Sequence, residues 1–268
     1  MRFVGVDLAW SEHNPSGAAV IEADGTLSRA ASDLRSNHEI CKYAGLSEQE
    51  DAVVAIDAPL IVRNTNGQRP VERQLTKIFG PFDAGPHSAS LKNALFQKTG
   101  RIQQFVQILE GLGFEHRPRI RKQQSQRVFL EVFPNPAQVI LFPGITHSDH
   151  CHYRAPRFKY KQGRSWIETQ CEWEIYRARL LSLRAKKPPI TFSPEVKKSL
   201  GVDIEDYQGT QYKALDDLLD GVFCAYLGYY FWYQGDEHCW VVGNMETGYV
   251  TLPLCRMHNC PLTAGIRL

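Results

Sequence analysis

Three short apolar runs of the sequence each end on an acidic residue. The acids are Asp7, Asp57 and Glu131. A run of β-branched and aromatic residues bounded by turn residues is typical of a buried strand. An unpaired carboxylate is costly to bury, and ligands of α/β proteins gather outside the carboxyl ends of the strands. The pattern therefore predicts an acidic pocket, and converging carboxylates indicate a bound divalent cation.

A second acidic motif lies in a long apolar segment near the C-terminus. Asp217 and Asp220 are three residues apart there, so a helix would present them on one face. Like charges at that spacing destabilise an isolated helix by roughly 0.2–0.5 kcal/mol, and a cation held between them would offset this cost. Asp216 fits an ordinary acid near a helix N-terminus. Asp220 does not, because large apolar residues lie on both sides of it.

Taken together, these acids predict a metal site. Four or five carboxylates from distant segments would converge only if something neutralised them. Mg²⁺ and Mn²⁺ prefer oxygen ligands and fit such a pocket. A pair of such ions can activate water and stabilise the leaving oxygen of a phosphodiester.

Composition places the chain among ordinary globular proteins. It has 268 residues, of which 43% are hydrophobic and 22% charged, and a net charge of +2 that gives no global attraction to nucleic acid. The apolar stretch Leu218 to Tyr233 is interrupted by Asp220 and is too short to span a membrane. The chain enters a strand at once with no signal-peptide pattern, so we expect a cytoplasmic protein with seven reduced cysteines.

The order of predicted elements indicates an α/β fold in a single domain. Three strands joined by tight turns should be antiparallel, and two later strands entered through helices should lie parallel to the first. This arrangement would place Asp7, Asp57 and Glu131 at the same edge of a mixed sheet flanked by helices. The predicted strands are 2–8, 17–22, 26–34, 52–57 and 128–132, and a final hairpin pairs 239–242 with 248–252. The predicted helices are 38–46, 134–141, 166–184 and 212–233, with a mostly helical insertion at 63–126 and a long polar loop at 143–164.

Four motifs of the chain resemble the domain-of-unknown-function family numbered 429, over residues 2 to about 254. The motifs are Gly5-Val6-Asp7-Leu8-Ala9-Trp10, Ile56-Asp57-Ala58-Pro59-Leu60, Leu130-Glu131-Val132-Phe133-Pro134 and Asp217-Leu218-Leu219-Asp220. The resemblance implies a nuclease of ribonuclease H-like fold. The order of the acids is also similar to that of RuvC-like resolvases. By that analogy Asp7, Asp57, Asp217 and Asp220 are the Mg²⁺ or Mn²⁺ ligands, and Glu131 is an accessory catalytic residue.

Two basic segments add a possible contact with DNA or RNA. One is the run from His116 to Lys122, and the other mixes basic and aromatic residues between Tyr153 and Arg164. Such mixtures suit a phosphate backbone and stacked bases, although two solvated loops would have the same composition. Within the second segment we expect Lys161, Arg157 and Lys159 to contact phosphate.

Other functions remain open at the level of sequence. A phosphotransferase of the related actin-like or sugar-kinase fold would need Gly-rich phosphate loops, which this chain has only weakly around Ser16-Gly17. A non-catalytic nucleic-acid-binding module would not need the four matched acids. Zinc could bind the Cys and His residues at 147–152 or at 238–260, but neither set has paired CxxC spacing. His87 and Ser88 could act as base and nucleophile, but they lack a strained Gly-x-Ser-x-Gly turn.

Overall fold

The computed structural model describes residues 1–94, 100–142, 166–203, 207 and 210–254. Several sequence predictions lie outside these described residues. They are the polar loop 143–164, the phosphate contacts Lys161, Arg157 and Lys159, the Cys and His residues at 147–152, and the part of the 238–260 set that lies at 255–260.

A mixed seven-stranded sheet forms the centre of the molecule. Its strands are β1 Arg2–Asp7, β2 Ser16–Glu22, β3 Thr26–Leu34, β4 Ala52–Asp57, β5 Glu115–His116, β6 Val128–Glu131 and β7 Thr191–Phe192. Their order across the sheet is β5-β6-β4-β1-β2-β3-β7. Strands β1, β2 and β3 are antiparallel neighbours, whereas β4, β6 and β5 continue the sheet parallel to β1. The predicted mixed α/β sheet is thus confirmed.

Helices cover both faces of this sheet. They are α1 Asn37–Ala44, α2 Pro70–Phe79, α3 Arg101–Gly111, α4 Pro134–Leu141, α5 Trp166–Ser182, α6 Pro194–Leu200 and α7 Thr210–Gln234. A separate hairpin of β8 Cys239–Asn244 and β9 Gly248–Pro253 follows α7, as predicted. None of the helices in the described part of the chain is long and apolar enough to cross a membrane.

The alternation of side chains along the strands builds two hydrophobic cores. Residues such as Phe3 and Val53 point to one face, where they join a core with the buried sides of α2, α4, α5, α6 and α7. Their neighbours Val4 and Val54 point to the opposite face and pack with α1 and α3. The central strands are therefore buried on both sides, which explains why their sequences are continuous apolar runs.

The segment 63–126 differs in part from the predicted helical insertion. Helices α2 and α3 are present, but the segment also contributes β5, which pairs with β6 at the edge of the sheet. Strand β7 and helix α6 were likewise not predicted. Both β5 and β7 have only two residues, and so short a strand cannot display the alternation by which a strand is recognised in sequence.

Helix α7 packs on β1 and β2 with almost no side chain between the backbones. A Cβ atom on Gly5 would lie closer than 3.0 Å to the backbone of Ala225 and Gly221, and one on Gly17 would meet the carbonyl oxygen of Asp217. Real Cβ atoms essentially never make such approaches. Because Gly17 pairs with Asp7 in the sheet, this glycine seam brings the acidic part of α7 next to the end of β1.

A methyl group added in the glycine seam should destabilise the fold. Gly5→Ala would force α7 away from the sheet, because the obstructing atoms belong to the backbone and cannot rotate aside. We expect a loss of about 3 kcal/mol or more in the free energy of unfolding, measured with urea. Gly111→Ala is the control, since a Cβ there meets nothing within 4 Å. Equal stability of the two variants would contradict this account of the seam.

Candidate functional site

Asp7 and Asp57 lie side by side where their strands end. The parallel register of β1 and β4 pairs them directly. By the alternation of the strand they face the same side as Gly5 and Ala55, which is the side covered by α7. Both residues are half-buried. The predicted meeting of these two acids at one edge of the sheet is therefore present in the structure.

Helix α7 adds a row of chemically active side chains above these strand ends. Lys213, Asp217, Asp220 and Cys224 are spaced four, three and four residues apart, so they share one helical face. Asp217 and Asp220 are buried. Asp216 is also buried and lines the same cleft, so it belongs with these acids rather than with the solvent-facing acids of a helix N-terminus.

The electrostatic surroundings of the Cys224 thiol indicate that the strand acids and the helical acids lie near one another. Burial raises the pKa of Cys224 well above its usual value, and the carboxylates of Asp57, Asp220 and Asp7 raise it further. Three acids from β1, β4 and α7 are thus within electrostatic reach of one buried sulfur. Asp217 also lies within hydrogen-bonding reach of Asp7. Asp7, Asp57, Asp217 and Asp220 thus lie near one another, and their role as metal ligands stays a prediction.

A lysine is the immediate counterion of this carboxylate cluster. The Lys213 ammonium donates a hydrogen bond to Oδ1 of Asp217. Burial opposes the charge of Lys213, but the carboxylates of Asp7 and Asp217 outweigh it and raise the pKa of the ammonium. Burial also raises the pKa of Asp217, against the lowering effect of Lys213.

Within the described residues, no group of three His, Cys, Asp or Glu side chains is arranged to hold a metal ion.

Tyr176 of α5 positions the last acid of the cluster. Its buried hydroxyl donates to Oδ1 of Asp220 over 2.6 Å. Burial raises the pKa of Tyr176 well above its usual value, and the Asp220 carboxylate raises it further, so the phenol stays protonated as a donor. The sequence carries no signal for this role, because Tyr176 belongs to the ordinary apolar stripe of an amphipathic helix.

Glu131 lies in the same cleft but in a different environment from the aspartates. Strand register pairs it with Ile56, one residue before Asp57, so its side chain leaves the sheet on the other face. Both of its carboxylate oxygens accept hydrogen bonds from Arg69, at 2.6 and 3.0 Å, and one also accepts from the Leu60 amide. Glu131 is therefore the acid of a buried ion pair in this structure. Its accessory catalytic role stays a prediction.

Arg69 joins Glu131 to a second buried acid, Glu72 of α2. The Arg69 Nε atom donates to Glu72 over 2.7 Å, and Glu72 also accepts from the Ala89 amide. Burial opposes the charge of Arg69, but Glu131 and Glu72 raise its pKa, so the guanidinium remains charged. This ion pair ties α2 and the loop before Ala89 to the end of β6, and it forms one wall of the cleft.

A second buried arginine, Arg101, holds the loop that follows β1. Its guanidinium donates to the carbonyl oxygens of Ser11, Asn14 and Leu34, at 2.9, 2.7 and 3.3 Å. The adjacent residues 8–10 line the cleft beside Asp7. Neither Arg69 nor Arg101 could be identified from the sequence, because a basic residue near a helix start normally faces solvent.

The cleft bounded by these elements has a volume of about 770 Å³. Four of its lining residues are the acids Asp7, Asp57, Asp216 and Asp220, which together with the buried Asp217 we define as the carboxylate cluster. Its opposite wall comes from the loop after α2 and includes the exposed residues His87 and Ser88. Their suggested role as base and nucleophile stays a prediction.

One family model matches the chain, over residues 5–246. Its description is Protein of unknown function (DUF429). The chain belongs to the DUF429 family. The match confirms the resemblance drawn from the four motifs and covers both the strand acids and the acids of α7. Neither the curated proteins nor the solved structures include a match to this DUF429 protein.

The basic run from His116 to Lys122 is partly paired with acids in this DUF429 protein. Arg119 pairs with Asp236 at 2.6 Å, and Lys122 pairs with Glu237 at 3.0 Å. His116 stacks on Phe129 with ring centroids 4.5 Å apart. Acids and a buried ring contact therefore offset much of the positive charge that the sequence displays.

His116 also belongs to a hydrogen-bonded chain behind Glu131. The Tyr249 hydroxyl accepts from the Glu131 amide and lies 3.1 Å from His116 Nε2. Because the hydroxyl already accepts from an N–H group, its own proton is available to Nε2, which requires a neutral imidazole. Burial lowers the pKa of His116 to about 4.

Because the folded protein keeps His116 neutral, its stability should decrease as the pH falls from about 6.5 to about 4. Between about pH 6.5, the usual histidine value, and pH 4, the unfolded chain binds a proton at His116 that the folded chain does not. We expect urea-unfolding free energies to decline over this range, and to decline less steeply in His116→Gln. His13→Gln, at an exposed site, should keep the wild-type slope. An unchanged slope in His116→Gln would contradict the neutral buried imidazole.

Proposed function

We propose that this DUF429 protein is a Mg²⁺- or Mn²⁺-dependent nuclease that hydrolyses phosphodiester bonds of DNA or RNA in the cytoplasm. The observation that carries the proposal is that Asp7, Asp57 and Asp220 line one cleft and that the buried Asp217 lies within hydrogen-bonding reach of Asp7. A mixed sheet with three antiparallel strands continued by parallel ones also supports it, because this is the architecture that the family resemblance implies.

These carboxylates are not arranged as a metal-binding group in the described structure, but their charge favours a divalent ion among them. A phosphodiester is anionic, and the carboxylate cluster on its own would repel it. The chemistry of the donors suits a hard cation, since all are carboxylate oxygens. Oδ2 of Asp217 accepts no hydrogen bond from any donor within the described residues, although it is buried. A buried oxygen in that state gains from a cation more than an exposed one does.

Each residue near the cluster would have its own role in holding the metal ion. Asp7 lies between Asp57 on the neighbouring strand and Asp217 on α7, so it is the natural bridge of the ligand set. Tyr176 donates to Oδ1 of Asp220 and so would hold that carboxylate in place for the ion. Bound Mg²⁺ or Mn²⁺ would polarise the phosphate and lower the pKa of a water nucleophile. Arg69 keeps Glu131 engaged in an ion pair, so Glu131 supports the wall rather than the ion.

An assay with labelled nucleic acids tests the proposal. Purified protein should cut at least one of single-stranded, duplex or branched DNA or RNA with Mg²⁺ or Mn²⁺, and should stop with EDTA. Asp7→Asn should lower the rate at least about 10³-fold, because it removes the charge of the bridging ligand. Asp33→Asn is the matched control, since Asp33 is exposed and its left-handed backbone also suits Asn.

Two results would count against a nuclease. One is the absence of any cutting across these substrates with either metal. The other is cutting that Asp7→Asn and Asp33→Asn preserve equally, which would identify a contaminating enzyme. Separate calorimetric titration with ATP addresses the phosphotransferase alternative, which requires nucleotide binding that the nuclease does not.

A further inference from the structure

Lys213 occupies an unfavourable position for an ordinary surface lysine. It lies in the first turn of α7, where the helix dipole disfavours a cation. It also precedes Asp217 by four residues, which is the weaker orientation for a helical ion pair. Local helix energetics therefore do not explain its placement. The acids do, because its ammonium reaches Asp217 and lies in the field of Asp7.

The two partners of this ion pair differ sharply in exposure. The side chain of Lys213 is 42% exposed, whereas that of Asp217 is 1% exposed. The lysine therefore reaches the acid from a partly exposed position, while the acid stays fixed in the packed helix–sheet interface. Of the two, only the lysine can move away without disturbing the core.

We propose that Lys213 is a removable counterion of the carboxylate cluster, and that a divalent cation entering between Asp7 and Asp217 displaces it. This inference rests on the proposed function, since it concerns the same metal site. In the metal-free protein the ammonium offsets the repulsion between the buried carboxylates. A divalent ion bound to Asp217 would lie within a few ångströms of the ammonium, and like charges at that range repel strongly.

Displacement would turn the lysine toward the cleft. Lys213 lines the cleft together with Asp7, Asp57 and Asp220, so an ammonium released from Asp217 would stay beside a phosphate bound there. It would then neutralise phosphate charge instead of carboxylate charge. Binding of a divalent ion thus replaces the Lys213 ammonium at Asp217. The affinity for the metal should therefore depend on the free energy of breaking the Lys213–Asp217 ion pair.

Manganese titration of four proteins tests the displacement. Mn²⁺ binding is measured by isothermal titration calorimetry, without nucleic acid, for wild type, Lys213→Met, Lys213→Gln and the control Lys198→Met on the exposed side of α6. Removing the competing ammonium should tighten Mn²⁺ binding at least about tenfold in both Lys213 variants. Thermal unfolding in EDTA should show a lower midpoint for these variants, and Mn²⁺ should restore it.

The outcomes separate this inference from the proposed function. Tighter binding in both Lys213 variants with no change in Lys198→Met supports displacement. Wild-type binding with equal or weaker binding in the Lys213 variants overturns it and leaves the metal site intact. If no protein binds Mn²⁺, the metal site and the displacement both fail. Lys213→Gln serves as the test if Lys213→Met does not fold, because glutamine can still donate to Asp217.

Discussion

The close approach of α7 to β1 and β2 is the constraint on which the rest of the structure depends. Glycine at positions 5, 17 and 221 lets a helix backbone rest on a sheet backbone. The contact sets both the distance and the register of α7. Asp217 lies above Gly17, which pairs with Asp7, and the remaining acids of the helix follow from its pitch. A carboxylate cluster in this protein is thus a consequence of backbone packing.

Such a cluster has an electrostatic cost that the surrounding residues offset one by one. Lys213 binds Asp217, and Tyr176 donates to Asp220. Glu131 is removed from the cluster by its strand register and by the charge of Arg69. Arg101 uses its buried charge differently, since it holds backbone carbonyls of the loop that borders Asp7. The stability of the fold and the chemistry of the cleft therefore share the same charged residues.

The sequence predicts the residues of the cluster better than their environment. Asp7 and Asp57 follow apolar runs, and Asp217 and Asp220 interrupt one, so each stands out against a local pattern. Tyr176, Arg69 and Arg101 do not, because their roles arise from contacts between segments far apart in the chain. Glu131 shows the same limit. In sequence Glu131 looks like Asp7 and Asp57, since all three end an apolar strand. In the sheet it pairs with Ile56 instead of Asp57, and this offset of one residue turns its side chain to the opposite face.

Anomalous scattering from a crystal soaked with Mn²⁺ tests directly whether the carboxylate cluster binds a metal. If the cluster binds a metal, an anomalous peak will lie within coordination distance of Asp7 and of at least one of Asp57, Asp217 and Asp220, at about 2.0–2.3 Å from their oxygens. A peak confined to other residues, or no peak near Asp7 at saturating Mn²⁺, would contradict a metal site built on the contact between α7 and the strand ends.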